Sequence, residues 1–199
     1  MTHFKTFILS CLLALAAFPA TAEGADFTVD GFGYSITSTT SLIVEVASGP
    51  DEAVVTVPST VVFNNRTFRV TGISHLAFYN HTKLRSVDMP SITYIEDGNE
   101  MYSYYGTHTI GNYAFWDCDA LTSVSLPVAT TIGNYAFGDC DALTSVSLPA
   151  ATTIGNYAFR DCDDLANVSL PAATSIGDDA FSGCDALTSV SLPAATTIG

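Results

Sequence analysis

Basic residues are scarce in this chain of 199 residues. Six Lys and Arg residues stand against 20 Asp and Glu residues, and after Arg85 the only basic residue is Arg160. Nucleic-acid binding depends on Lys and Arg side chains that neutralise phosphates, so this composition excludes nucleic acid as a partner. Charged residues make up 13% of the chain and hydrophobic residues 48%, which is typical of an ordered, well-buried fold.

Motifs for catalysis and metal binding are also missing. Outside the first 22 residues the histidines are His75, His81 and His108, which stand in no metal or nucleophile motif. We interpret them as surface or turn residues. Close cysteine pairs of the C-x-x-C type, which zinc sites use, do not occur. We therefore expect a protein that is not an enzyme and that holds no metal or cofactor.

Long apolar runs are limited to residues 7–18, and 12 residues are too few to span a bilayer, which needs about 20. Lys5 precedes this run, and Ala20-Thr21-Ala22 follows it with the small-x-small form that signal peptidase cuts. We interpret residues 1–22 as a signal peptide, which predicts export and a mature chain with a formal charge of −15. The alternative, a lipoprotein cleavage site ending at Cys11, would leave most of the apolar run after the cut.

What the sequence has instead is a repeat of 22 residues. Residues 110–131 and 132–153 differ only at Trp116/Gly138 and Val128/Ala150, so 20 of 22 positions match. Such near identity indicates duplication of a unit that packs on copies of itself. Two of the repeated columns are Ile110, Ile132, Ile154, Ile176 and Ile198, and Phe115, Phe137, Phe159 and Phe181.

Each unit predicts one strand and one return segment. In Leu121-x-x-Val124-x-Leu126 alternate apolar residues point inward, which is the strand of a leucine-rich repeat. The return segment has a short extended piece near Ile132, followed by a short turn or a single helical turn at residues 136–140. The predicted fold is a mainly β leucine-rich-repeat solenoid, with a parallel sheet on its concave face and these turns on its convex face.

Three segments follow from this pattern, after the signal peptide. Residues 23–72 read as short strands that form a small β N-terminal cap, with turns at Asp30-Gly31 and Asn64-Asn65. Residues 73–199 are the repeats, beginning with a degenerate copy, and residues 96–110 are an insert between that copy and the regular ones. The sequence stops at the opening of a further copy, so we expect either a fragment of a longer array or an uncapped last coil.

These residues resemble the BspA-like leucine-rich-repeat surface proteins, whose repeat has the form I-G-x-x-A-F-x-x-C/N-x-x-L-x-x-V-x-L-P. The pattern is carried here by Ile132, Gly133, Ala136, Phe137, Cys140, Leu143, Val146, Leu148 and Pro149 and by their equivalents in the other copies. Residues 55–61 and 67–73 resemble the family's lead-in. The resemblance implies a secreted or surface-displayed protein that adheres to matrix proteins or to neighbouring cells.

Cysteine and aspartate columns allow alternative interpretations. Cys118, Cys140, Cys162 and Cys184 are exported, so disulfides are permitted, but stacked side chains that point the same way rarely meet with disulfide geometry. We favour buried free thiols over bridges.

The aspartates of the repeats form two columns, one of Asp119, Asp141, Asp163 and Asp185 and the other of Asp117, Asp139 and Asp161. Stacked carboxylates repel, so either Ca²⁺ binds them or they simply face water on the convex turns.

The candidate binding residues lie on the strands and in the insert. Outward strand positions form a hydroxyl lattice that includes Thr122, Ser123, Ser125, Thr144, Ser145 and Ser147. This lattice supplies no large aromatic anchors, which dominate protein interfaces. The insert supplies them in Met101, Tyr102, Tyr104 and Tyr105. This loop is either a recognition element or a segment that folds back over the first coil.

The function predicted from these features is protein binding. We interpret the mature chain as a secreted or cell-surface, adhesin-like module that recognises a host or neighbouring-cell protein, such as a matrix protein, without entering the membrane. The alternative is a structural spacer in a longer surface protein.

Overall fold

A computed structural model describes residues 25–89 and 108–199. The predicted signal peptide and residues 96–107 of the predicted insert lie outside these ranges. Within them the chain forms 16 strands joined by turns, and no residue is helical.

Two of the predicted hairpin turns are confirmed in the N-terminal region. Strands β1 (Phe27–Val29), β2 (Phe32–Ser38) and β3 (Ile43–Ser48) pair antiparallel in that order. Asp30 and Gly31 join β1 to β2 with φ values of 49° and 83°, and positive φ at both positions is what a type I′ turn requires.

The second hairpin lies directly before the repeats. Strand β4 (Val54–Thr56) is followed by β5 (Thr60–Phe63) and β6 (Arg66–Ile73), and β5 pairs antiparallel with β6. Asn64 and Asn65 form the turn with φ values of 50° and 59°, which asparagine tolerates better than most residues. Strand β6 also pairs in parallel with β3, so it links the N-terminal strands to the repeats.

The repeats supply two series of short strands. The serine series lies within the predicted leucine-rich strand and comprises β7 (Ser86–Asp88), β9 (Ser123–Ser125), β11 (Ser145–Ser147), β13 (Asn167–Ser169) and β15 (Ser189–Ser191). The isoleucine series ends at the isoleucine column and comprises β8 (His108–Ile110), β10 (Ala129–Ile132), β12 (Thr153–Ile154), β14 (Ser175–Ile176) and β16 (Thr197–Ile198).

Both series form parallel sheets with one strand per coil. The isoleucine series continues the N-terminal sheet in the order β1-β2-β3-β6-β8-β10-β12-β14-β16, with Ile132 opposite Ile154. The serine series, together with β4 of the N-terminal region, forms two sheets of three strands, β4-β7-β9 and β11-β13-β15. The predicted parallel sheet is therefore present, but the larger sheet runs through the isoleucine strands, because the serine ladder is interrupted between β9 and β11.

The return segments are turns rather than helical turns. In the coil that begins at Ile132, Tyr135 and Asp139 have φ values of 55° and 54°, which an α-helix cannot accommodate. The backbone N–H groups of these turns bond to the next coil: Tyr135 donates to the Asn156 carbonyl at 3.0 Å and Phe137 to the Ala158 carbonyl at 2.8 Å. The turns thus form a third line of hydrogen bonds between coils.

The core consists of stacked columns of identical side chains. The rings of Phe78, Phe115, Phe137, Phe159 and Phe181 form what we call the phenylalanine column, with centroids 5.1, 5.0, 5.2 and 5.4 Å apart and nearly parallel planes. At its N-terminal end, Gly49 lies against Phe78 so closely that any side chain there would overlap the ring. The role of residues 23–72 as a cap stays a prediction, although this contact is consistent with it.

The cysteine column contains free thiols, which confirms the favoured alternative. Each thiol donates to the carbonyl of the phenylalanine in the preceding coil; the Cys140 Sγ lies 3.1 Å from the Phe115 oxygen. Burial raises the pKa of Cys118 to about 12 and raises that of Cys140 well above its ordinary value. Cys118 and Cys140 therefore stay protonated, whereas Cys184 is half-buried and a hydrogen bond from Cys162 lowers its pKa. The hydrogen bonds of the column tie neighbouring coils together.

We predict that Phe137→Ala lowers the free energy of unfolding by about 3–5 kcal/mol, because the ring is fully buried between two others and its removal leaves a cavity. Urea unfolding followed by circular dichroism measures this change. Phe181→Ala is the matched control and should cost less, because Phe181 is only partly buried. A loss below about 1 kcal/mol for Phe137→Ala would contradict the packing described here.

Candidate binding surfaces

The predicted hydroxyl lattice lies on the exposed side of the serine strands, which we call the strand face. Its six predicted residues are all exposed: Thr122, Ser123, Ser125, Thr144, Ser145 and Ser147. Between them Val146 points inward and is buried, as strand alternation requires. The orientation of the lattice is thus as expected, and its role in binding stays a prediction.

Threonine and serine hydroxyls differ in how they are used on the strand face. The Thr122 hydroxyl donates to the Arg85 carbonyl at 2.9 Å, and Thr188 bonds to the Ala166 carbonyl at 3.2 Å in the same way. These threonines therefore connect one coil to the one before it. The hydroxyls of Ser145 and Ser147 have no partner among residues 25–89 and 108–199, so they are available to a bound molecule.

The four predicted anchors of the insert, Met101, Tyr102, Tyr104 and Tyr105, lie outside the described residues. The described chain stops at Met89, just after β7, and resumes at β8. The role of the insert in recognition stays a prediction.

The return turns carry aromatic side chains that the predicted binding residues did not include. Tyr113, Tyr135 and Tyr157 lie half-buried on the return turns, one in each of three consecutive coils. Their rings stack with centroids 4.9 and 4.7 Å apart and planes within 13° of parallel. The sequence shows the 22-residue spacing of these tyrosines. It does not show the left-handed backbone of the return turns, which directs their rings away from the core.

Trp116 extends this aromatic surface. Its ring contacts Tyr113 and Tyr135, with centroids 5.6 and 5.1 Å apart. It lies directly over Gly138 of the next coil, where a side chain would overlap the indole. One of the two differences between the neighbouring copies is thereby explained, since Trp116 requires glycine at the same position of the coil that follows.

The first coil continues the surface with two more apolar side chains. Leu76 and Tyr79 hold the positions of Tyr113 and Trp116 in the second coil and are 44% and 45% exposed. Isolated exposed apolar residues are common, whereas a contiguous group of them marks an interaction surface. We call the group the aromatic strip; its members are Leu76, Tyr79, Tyr113, Trp116, Tyr135 and Tyr157.

Arg160 ends the strip with a charged group. Its guanidinium lies 5.7 Å from the centroid of the Tyr157 ring, and its Nε donates to the Asp161 carboxylate at 2.8 Å. The Asp161 contact raises the pKa of the guanidinium, and Tyr135 adds a hydrogen bond. One cation is therefore held by an aromatic ring and a carboxylate together.

Carboxylates follow the strip along its length. Asp117, Asp139 and Asp161 occupy the second left-handed position of their turns, with φ values of 61°, 54° and 54°. Partial burial, followed by the charges of Asp161 and Asp117, raises the pKa of Asp139. Among residues 25–89 and 108–199 no three acidic, His or Cys side chains converge as metal ligands do, so nothing in the described structure supports the calcium alternative.

An open depression of about 430 Å³ lies in the N-terminal region between Phe32, Pro58 and Val62, and it is lined by no histidine or cysteine. The His75 ring bonds to the Asn112 carbonyl at 2.8 Å, and the His81 ring bonds to the carbonyls of Tyr79 and Gly49. These two histidines have structural roles. None of the described segments is a helix long and apolar enough to cross a bilayer.

We predict that Asp139→Asn makes the free energy of unfolding less dependent on pH. The folded parent holds the Asp139 proton more tightly than the unfolded chain does, so its stability falls as pH rises above about 4, through the raised pKa. Asparagine removes the charge and keeps the left-handed backbone, so the variant should be the more stable protein at pH 7. Urea unfolding at a series of pH values tests this, and parallel pH profiles would contradict it.

Comparison with known proteins identifies similar repeats. Residues 108–199 match the family described as "BspA type Leucine rich repeat region", in six copies. No curated protein matches the chain.

Solved structures of bacterial leucine-rich-repeat proteins have the same fold. A leucine rich cell surface protein from Faecalibacterium prausnitzii A2-165 is 27% identical with a TM-score of 0.71, over 86% of this chain and 44% of that one. A leucine-rich repeat protein from Bacteroides ovatus is 26% identical with a TM-score of 0.59, over 84% of this chain and 47% of that one. The chain thus spans less than half the length of these two proteins. The leucine-rich repeat protein of T. pallidum, 23% identical with a TM-score of 0.60 over 87% of this chain and 85% of that one, supports the fold alone.

Proposed function

We propose that this chain, whose residues 108–199 are BspA-type leucine-rich repeats, is a secreted or cell-surface module that binds another protein through its exposed rows of side chains. The partner is a matrix protein of a host or a surface protein of a neighbouring cell, and the module acts as an adhesin. The description of the F. prausnitzii relative as a cell surface protein supports this location. The predicted signal peptide supports it as well.

The observation that carries the proposal is the rigid strand face. The inward residues of the regular coils, such as Leu143, Val146 and Leu148, are buried, while their outward neighbours are exposed at the spacing of the coils. Within each of the two serine sheets, strand partners lie about 4.8 Å apart, so the hydroxyls are held at repeated positions without a cost of ordering on binding. The surface therefore suits an extended partner better than a small substrate.

The spacer alternative shares the same fold and differs in having no partner. The distinguishing measurement is binding of the mature chain to immobilised matrix proteins, with variants that alter one surface at a time.

We predict that Ser145→Lys together with Ser147→Lys weakens this binding about tenfold or more. Each bulky charge would have to be desolvated in the centre of the interface, where nothing in the partner is placed to pair with it. Thr153→Lys is the matched control, because Thr153 is also exposed but lies on the isoleucine series. Its binding should equal that of the parent, and thermal unfolding should be the same for all three proteins.

Replacing Tyr102, Tyr104 and Tyr105 by alanine tests the insert in the same assay. Loss of binding with an unchanged unfolding temperature would assign the insert to the interface. If the parent chain binds none of the matrix proteins, the adhesin proposal is wrong and the spacer alternative is favoured.

A further inference from the structure

We propose that the aromatic strip on the return turns is a second binding surface, and that its ligand is an arginine-rich segment of a partner protein. The inference rests on the proposed function, since it names a class of partner. It concerns a different surface, because the strip belongs to the return turns and the hydroxyl lattice belongs to the serine strands.

Backbone strain indicates that the tyrosines of the strip are retained for their side chains. Tyr113, Tyr135 and Tyr157 each have a φ of 55° to 57°, in the left-handed region that Gly and Asn adopt readily and tyrosine does not. A tyrosine in this region therefore destabilises the fold. Stacking with a neighbouring ring offsets this cost. The strip therefore presents aromatic groups on a surface where asparagine or glycine would satisfy the backbone better.

Charge around the strip selects a cation. Residues 108–199 contain ten aspartates and Arg160 as their single basic residue. Asp117 and Asp139 flank the strip, and neither forms an ion pair in the described ranges. A positively charged ligand would offset the repulsion that, together with partial burial, raises the pKa of Asp139. An anionic ligand would increase that repulsion.

Arg160 shows how the strip holds a guanidinium. That group lies over the Tyr157 ring and bonds to Asp161 in the same turn. One coil earlier, Tyr135 and Asp139 repeat the ring and the carboxylate, but the position of the arginine is taken by Gly138. The ring and the carboxylate therefore recur beside the half-buried ring of Trp116, where the nearest cation of this chain, Arg160 of the next coil, bonds to Tyr135 and only partly offsets the raised pKa of Asp139.

The geometry favours arginine over lysine. A guanidinium is planar, stacks on aromatic faces and donates to a carboxylate at the same time, whereas an ammonium is a compact and strongly hydrated charge. Tyr113 and Tyr157 cover the two faces of the Tyr135 ring, so a segment with arginines at intervals can place one side chain against the Trp116 ring and others along the aspartates. An ordinary electrostatic attraction would not distinguish between the two residues.

The test uses the single tryptophan of the chain as its reporter. Trp116 lies within the strip, so its fluorescence responds to a ligand there. The probes are three synthetic 12-residue peptides in which glycine alternates with arginine, lysine or serine. We expect saturable quenching or enhancement with the arginine peptide, binding about threefold to tenfold weaker with the lysine peptide, and none with the serine peptide.

Variants locate the binding on the strip. Two variants, Tyr135→Asn and Asp139→Asn, should each lower the affinity for the arginine peptide about threefold to tenfold. Asparagine at position 135 suits the left-handed backbone, so the turn is retained. The matched control is Asp88→Asn, which removes the same charge from β7 in the serine series and should leave the affinity unchanged. The Ser145→Lys and Ser147→Lys variant should also retain peptide binding.

The possible results separate this inference from the proposed function. Equal affinity for the arginine and lysine peptides, or an Asp88→Asn effect as large as that of Asp139→Asn, overturns the inference in favour of unspecific charge attraction. Absence of peptide binding in a chain that binds matrix proteins overturns the inference alone. Peptide binding localised to the strip in a chain that binds no matrix protein supports the strip and overturns only the adhesin proposal.

Discussion

Hydrogen bonding between successive coils is the constraint on which the rest of this structure depends. On the return turns the Phe115 amide donates to the Ala136 carbonyl, and the Phe137 amide donates to the Ala158 carbonyl, each at 2.8 Å. The isoleucine and serine strands add two more lines of such bonds. Adding or removing one residue within the strands or the return turns would leave these groups unpaired in a buried environment, so the regular coils retain the period of 22 residues. The phenylalanine column follows from the same register, because identical positions lie directly above one another.

The register also determines what the surface can do. Because each coil repeats the same sequence, every outward position of the 22-residue unit becomes a row of equivalent side chains. A change to the unit therefore alters a whole row and not a single residue. Rows of serine and threonine give a polar strand face, and rows of tyrosine and aspartate give an aromatic and acidic turn face. Departures from the repeat are therefore informative. Trp116 lies over Gly138, and Arg160 takes the same position two coils after Trp116, so this position of the strip holds a different residue in each of the three coils.

Much of the fold could be predicted from periodicity, because a 22-residue repeat with buried Leu, Ile and Phe columns has few ways to pack. Two-residue turns at Asp30-Gly31 and Asn64-Asn65 were also predictable, since these residue types adopt positive φ. The orientation of Tyr135 was not predictable, because tyrosine is unfavourable in the left-handed region and its position follows from the backbone hydrogen bonds of the turn. The division of the strands between sheets was missed for a related reason. Strands of two or three residues are too short for the alternation of apolar and polar residues that predicts a strand from its sequence.

The central claim is that the coils are joined through the backbone amides of the return turns, which hold the exposed rows in place. Amide hydrogen exchange of the mature chain, followed residue by residue by NMR, tests this claim. Phe115, Phe137 and Phe159 donate across coils and should exchange only when the stack opens, far more slowly than the Asp141 amide, which has no backbone acceptor among the described residues. Exchange of the Phe137 amide as fast as that of Asp141, in a chain that is otherwise folded, would contradict the account.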